Sequence, residues 1–157
     1  MPPEGIVVAP PGRATLHLRD AVFDFNGTLA VGGALVPGVS VRLRELARTL
    51  ELHVLTADTF GTAATALRDL PLTLHRIETG ADKKQFVLGR HARGVVAVGN
   101  GQNDVAMLSV ATLGVAVLGP EGLVPELLTH AAILVRDIND ALDLLANPAK
   151  LVATLRA

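Results

Sequence analysis

The feature that most constrains this chain is a set of short apolar runs that do not alternate with polar residues. Val95-Val96-Ala97-Val98, Val115-Ala116-Val117-Leu118 and Ala21-Val22-Phe23 leave no position for a wet face. A strand exposed on one side shows a period of two, so these runs belong to strands covered on both sides. A parallel sheet between two helix layers provides that cover. The segments between the runs carry helical spacing instead, as in Val39, Leu43, Leu46 and Leu50, a stretch that opens on Pro37-Gly38.

Taken along the chain, the pattern predicts strands over 21–25, 52–56, 72–76, 95–98, 114–118 and 133–135. Helices are predicted over 37–50, 59–70, 82–91, 103–110, 123–128 and 139–145, with a last turn or two after Pro148. Ahead of the first of these strands, two β-type runs over 6–9 and 15–18 flank Pro10-Pro11-Gly12-Arg13, which reads as a hairpin. The expectation is α/β: a doubly wound, mostly parallel sheet with an N-terminal β-hairpin. One domain over 1–157 is expected, with the hairpin at 1–20, the core at 21–146 and a C-terminal helix at 147–157.

Composition narrows the function classes. Half of the 157 residues are hydrophobic and 18% are charged, which excludes a disordered chain and a coiled coil. The formal net charge of −1 provides no basic excess for nucleic acid or an anionic membrane. With no Tyr or Trp there is no base-stacking platform either. The absence of cysteine excludes disulfide scaffolds, thiolate zinc sites and cysteine nucleophiles. The longest apolar stretch, 105–120, is interrupted by Ser109, Thr112 and Gly114 and falls short of the ~20 residues of a membrane span. Met1-Pro2-Pro3-Glu4 has no basic region leading into an apolar run, so a cytoplasmic, non-membrane protein is expected.

Ligands of such sheets bind beyond the carboxyl ends of the strands. The first core strand ends in Asp24-Phe25-Asn26-Gly27-Thr28, where a carboxylate leaving a buried strand into a glycine turn suits a nucleophile or a hard-cation ligand. Read alone, the segment is equally a simple turn. The next strand ends in Thr56, whose hydroxyl suits an anion at a helix mouth, or an ordinary helix start capped by Asp58 or Thr59. Lys83 and Lys84, two of the chain's three lysines, stand where a helix dipole opposes them and so ask for an anion. Lys83 is the one on a face distinct from Phe86 and Val87, and is preferred. The run 95–98 leads into Gly99-Asn100-Gly101-Gln102-Asn103-Asp104, a loop able to approach a ligand closely, with Asp104 in the first turn of a helix. None of the five histidines has metal-ligand spacing; His53 and His75 fall on strands, where packing or hydrogen bonding is expected.

The order Asp-x-x-Gly-Thr-Leu, Thr, Lys, Gly-x-Gly-x-Asn-Asp, with each member at a strand end, resembles the four-motif set of the haloacid dehalogenase-like (HAD) superfamily over about 21–138. The first and fourth motifs look most like the phosphorylation domain of P-type ATPases and its small soluble relatives. The resemblance implies phosphoryl transfer through an aspartyl-phosphate on Asp24, with Thr56, Lys83, Asn26 and Gly27 around the phosphoryl oxygens. Mg²⁺ is implied between Asp24, the Asn26 main-chain carbonyl and the loop bearing Asn100 and Asp104. The intervals 28–56 and 56–83 are already filled by helix and strand. They leave no room for a cap or a nucleotide-binding insert, so the site is expected to be open.

Two positions depart from the usual phosphatase. Asn26 stands where an aspartate protonates the leaving group and activates water, and an amide cannot accept water's proton. Asn100 stands where a metal-binding aspartate is usual, which removes one negative charge from the cation site. The leading expectation is therefore a slow, Mg²⁺-dependent phosphohydrolase acting on a phosphorylated small molecule or phosphoprotein, its open site either accepting a large phosphorylated partner or borrowing a lid from a second copy of the chain. The alternative is a phosphate-sensing or partner-binding module that kept the pocket and lost turnover.

Overall fold

The unalternated runs pair side by side, all pointing the same way. The computed structural model describes residues 2–157. In chain order its elements are β1 (Ile6–Val8), β2 (Leu16–Leu18), β3 (Asp20–Asp24), β4 (Ala30–Val31), β5 (Ala34–Leu35), α1 (Val39–Leu46), β6 (Glu51–Thr56), α2 (Thr62–Ala66), β7 (Thr73–Arg76) and α3 (Gly80–Arg90). They continue as β8 (Val95–Gly99), α4 (Val105–Val110), β9 (Leu113–Val117), β10 (Ile133–Val135), α5 (Ile138–Ala146) and α6 (Pro148–Leu155), with 3-10 turns at His91–Arg93, Gln102–Asp104 and Pro125–Thr129. Six strands form one sheet in the order β10-β9-β8-β3-β6-β7. Every pairing within it is parallel. The chain winds outward from β3 through β6 and β7, then returns to β8 and winds the other way. The switch lies between β3 and β8, so the crevice forms beyond their carboxyl ends.

Successive residues of a strand face opposite sides, and β3 shows the consequence. Ala21 and Phe23 enter one core with Leu43, Leu46, Leu142 and Leu145, while Val22 enters the other with Val87, Met107 and Leu108. All of these side chains are buried. Full burial of a Leu, Val or Phe side chain is worth roughly 1.5–3 kcal/mol, so both faces of β3 are clamped and Asp24 at its end has little freedom to shift. The hairpin β1–β2 is antiparallel and packs near the C-terminus, where the Ala157 amide donates to the Pro11 carbonyl at 3.0 Å.

Four stretches differ from the sequence pattern. The helix expected over 59–70 is confined to α2, because Asp58 (φ 46°) and Gly61 (φ 72°) take left-handed backbone and only Thr62 begins the helix. The residue at the N-cap is Gly61 rather than Asp58 or Thr59, although Asp58 reaches forward to accept from the Ala63 and Ala64 amides at 2.8 and 3.0 Å. At the far end Asp69 is also left-handed (φ 66°) and closes the segment before Pro71. The helix expected to reach Leu50 stops at Leu46, and its last residues form turns that leave Leu50 in the core. The helix expected over 123–128 is the 3-10 turn Pro125–Thr129. The small hairpin β4–β5, turning on Gly32 and Gly33, had no counterpart in the sequence reading.

Candidate active site

Asp24 leaves β3 buried, and the chain folds back at once. The Phe25 carbonyl accepts from the Thr28 and Ala30 amides at 3.2 and 3.0 Å, and the Gly27 amide donates to Ala30 at 2.7 Å. Gly27 has φ 80°, and a Cβ there would lie 2.5 Å from Asn100 Nδ2. Glycine is therefore required both for the turn and for the approach of the loop after β8. Thr28 ties the two loops together, its hydroxyl lying 3.3 Å from Asp24 Oδ2 and 3.2 Å from Asn100 Oδ1.

Lys83 projects from the first turns of α3, whose start is capped by Thr79 accepting from the Asp82 amide at 3.1 Å. Its ammonium is fully buried and donates to Asp24 Oδ1 and Asp104 Oδ1, each at 2.9 Å. The anions that a lysine at this helix end demands are thus supplied by two carboxylates. Asp104 is completely buried, and its second oxygen accepts from the Asn100 and Gly101 amides at 3.0 Å each. Gly99 permits that fold, since a Cβ there would lie 2.5 Å from the Asp104 carboxyl carbon.

Two carboxylates share one ammonium, which leaves the trio with net negative charge in a desolvated place. Burial, followed by the charge of Asp104, raises the Asp24 carboxyl from its ordinary 3.8 to about 6, against the pull of Lys83. Burial opposes the charge on Lys83, but Asp24 and Asp104 outweigh it and hold the ammonium above its usual range. Displaced pKa values of this kind cluster at reactive sites.

The trio opens into a cleft of about 340 Å³ at the carboxyl edge of the sheet. Asp24, Asn26, Thr56, Lys83 and Asn100 line it together. Gly27 lies in the turn against Asn100, and Asp104 stands behind Lys83. Lys84 is half-buried and does not line this cleft. Sequence reasoning missed Thr28 as a tie between loops, and it missed Glu78 and Glu121, which also line the cleft. A signal for Glu121 existed: Gly119-Pro120-Glu121-Gly122 is a turn sequence just past the end of β9.

Another cluster lies at the opposite edge of the sheet. Asp20 accepts from His53 at 3.0 Å, Arg93 at 2.6 Å and Arg90 at 3.2 Å, and His53 contacts His75 at 3.0 Å. Burial raises the Asp20 carboxyl, but the hydrogen bonds from His53 and Arg93 outweigh it and the net shift is downward. Ligand atoms of Asp20, Glu51 and His53 lie within 4.8 Å of one another. Two guanidiniums already occupy those oxygens, which makes this an ion-pair network rather than a cation site. A cavity of about 530 Å³ at the same edge, lined by His17, Arg19 and Arg93 among others, includes no member of the Asp24–Lys83–Asp104 trio.

No family model matches the sequence. An uncharacterized protein of Methanocaldococcus jannaschii is 48% identical over 62 residues, which span 40% of this chain and 67% of that protein. The two belong to one family. Among solved structures, 3-deoxy-D-manno-octulosonate 8-phosphate phosphatase from Moraxella catarrhalis, determined with magnesium and phosphate ions, superposes with a TM-score of 0.67 at 13% identity over 88% of this chain and 94% of that one. The chain has the haloacid dehalogenase-like fold. The catalytic domain of the CPx-ATPase CopB-B likewise matches this HAD-fold chain with a TM-score of 0.60 at 24% identity, over 72% of this chain and 46% of that one. No helix among the described residues is long and apolar enough to cross a membrane.

The cleft's oxygen donors suit a hard cation. Asp24, Asn26, Asn100, Glu78 and Glu121 all line the cleft, and carboxylate and amide oxygens are the donors that a divalent cation takes. Both oxygens of Asp104 are already engaged by Lys83 and by loop amides, so Asp104 acts here through Lys83 and the loop.

Proposed function

We propose that this HAD-fold chain is a Mg²⁺-dependent phosphohydrolase that works through an aspartyl-phosphate on Asp24. The observation that carries the reading is the buried Lys83 shared between Asp24 and Asp104 at the strand switch point, with Asp24 raised to about 6 and open to the cleft. A structural ion pair has no need of a carboxylate held in an unfavourable environment at the mouth of a cleft.

Asp24 is the nucleophile: one carboxylate oxygen attacks phosphorus, the bond from phosphorus to the substrate oxygen breaks, and the acyl phosphate forms. Lys83 keeps Asp24 fixed and faces the charge that develops on the phosphoryl oxygens, with Thr56 donating from the neighbouring strand end. Gly27 holds the turn that lets the Asn26 and Asn100 loops meet around the phosphoryl group. Mg²⁺ held by Asp24, the Asn26 carbonyl and Asn100 would neutralise phosphoryl charge. Asn26 can orient the leaving group or a water but moves no proton, so it gives no acid–base assistance to either half of the reaction. The substrate class is a phosphate monoester; the match to a sugar-phosphate phosphatase supports a small phosphorylated molecule.

Rapid-quench incubation with a phosphate ester labelled on phosphorus tests the reading. An acid-stable, hydroxylamine-sensitive label that appears as a burst and is absent from Asp24→Asn is expected. Without any burst, the amides at 26 and 100 favour the second reading, a module that binds phosphate without turning it over.

A further inference from the structure

The proposed reaction leaves its second half without a base, since Asn26 cannot take the proton of the water that must hydrolyse the acyl phosphate. The fold brings another carboxylate to the same cleft. Glu121 lines it beside Asp24 and Asn26, carried on the turn Gly119–Gly122, which closes through the Gly122 amide donating to the Gly119 carbonyl at 2.9 Å. Gly122 takes φ 83°, a backbone that the turn demands and that glycine supplies freely.

This turn is held against the nucleophile's own loop. A Cβ at Gly119 would lie 3.4 Å from the Gly27 carbonyl oxygen, so the turn abuts the residue next to Asn26. Asn100 clamps it twice: its side-chain Nδ2 donates to the Gly122 carbonyl at 3.2 Å, and its main-chain carbonyl accepts from the Val124 amide at 2.9 Å. The first clamp explains an amide at position 100. A carbonyl only accepts, so the atom facing Gly122 must be a donor, and an aspartate there would present oxygen to oxygen. The other rim carboxylate, Glu78, lies just past β7, on the far side of β6 from β3, and among the described residues no such clamp ties it to the Asn26 loop.

We infer that Glu121 is the general base for hydrolysis of the acyl phosphate, and that Asn100 is the positioning residue that holds it. The inference rests on the phosphohydrolase reading. In the step, the oxygen of water bonds to phosphorus and the bond between phosphorus and the Asp24 oxygen breaks. The proton of the water passes to the Glu121 carboxylate, releasing inorganic phosphate and the Asp24 carboxylate. The two amides at 26 and 100 then have one explanation: the base has moved from the loop after β3 to the turn after β9, and its support has changed with it.

The test follows decay of the labelled phosphoenzyme after a chase with unlabelled ester, in the full chain with Mg²⁺. Glu121→Gln is expected to form the burst with unchanged amplitude and to slow decay roughly 10²-fold or more. Asn26→Asp placed in the Glu121→Gln background is expected to restore decay, because a base next to the same phosphorus replaces the missing one. Asn100→Asp is expected to slow decay while binding Mg²⁺ more tightly, a split that a weakened metal site would not produce. If the natural protein forms no phosphoenzyme, the phosphohydrolase reading fails. If it forms one and Glu121→Gln decays at the natural rate, or if Glu78→Gln alone slows decay, Glu121 is not the base.

Discussion

Replacing Asp24 by asparagine should make the protein more stable, and the structure sets the sign and size. The folded-state carboxyl titrates near 6 against 3.8 in an ordinary setting. Because the native state holds the proton longer than the unfolded chain, stability falls as pH rises from about 4 to about 6 and stays reduced above that. At 1.36 kcal/mol per unit, the whole displacement is worth about 3 kcal/mol. The Asp24 side chain is 10% exposed and coupled to Lys83 and Asp104, so a gain of about 1–3 kcal/mol is expected from removing its charge. For a chain of this size that is roughly 2–12 °C in Tm. The assay is thermal unfolding of both proteins with chelator present, from pH 4 to pH 8. The Asp24→Asn protein should melt higher at pH 8, with the gap closing toward pH 4. Added Mg²⁺ should raise the natural protein and leave the variant nearly unmoved. If Asp24→Asn melts at or below the natural protein at pH 8, the carboxylate is a net-favourable partner of Lys83. Its raised pKa then cannot be evidence of a reactive site.

Lys83→Met should do the reverse, since it leaves two buried carboxylates facing each other; a loss of about 3–5 kcal/mol by denaturant unfolding is expected, and less at pH 4. Asn26→Asp should raise steady-state turnover by about 10²-fold, most for alkyl phosphates whose leaving oxygen needs a proton, as a leaving-group series would report. Phosphoenzyme formation should fall tenfold per unit as pH drops below about 6, where Asp24 gains its proton, and raising Mg²⁺ should move that limb to lower pH because a cation favours the carboxylate. Asp20→Asn should cost about 3 kcal/mol at neutral pH, measured by urea unfolding, with the loss shrinking in acid as the depressed Asp20 carboxyl of the natural protein protonates.

The sheet was readable because a buried parallel strand writes its environment into consecutive residues; the run Val95-Val96-Ala97-Val98 lies in β8, buried throughout. Asp24, Thr56 and Lys83 were readable for a related reason, since a strand end or a helix start is itself a local signal. What escaped depends on residues far apart in the chain. Nothing near Lys83 announces that Asp104, 21 positions later, shares its ammonium with Asp24. Nothing near Glu121 announces that Asn100 will hold its turn. The shortened α2 escaped differently: Ala, Thr and Leu keep helical spacing over 59–70. The left-handed conformations of Asp58 and Asp69 that bound the helix leave no mark on that pattern.

β3 carries an aspartate at each end, both buried, and the contrast between them separates fold from chemistry. Asp20 meets two guanidiniums and an imidazole, and the hydrogen bonds of Arg93 and His53 overcome the cost of its burial. Asp24 has half of one ammonium, a second carboxylate drawing on the same charge, and a hydroxyl at 3.3 Å. The same side chain on the same strand is therefore pulled below its ordinary pKa at one end and pushed above it at the other. Charge that is fully matched holds the strand in place and has nothing left to offer a ligand. Charge that is undermatched is favoured by whatever brings positive charge or an electrophile to it, a divalent cation in the first case and phosphorus in the second. The amino-terminal end of β3 anchors the sheet so that the carboxyl-terminal end can remain unsatisfied until the cleft is filled.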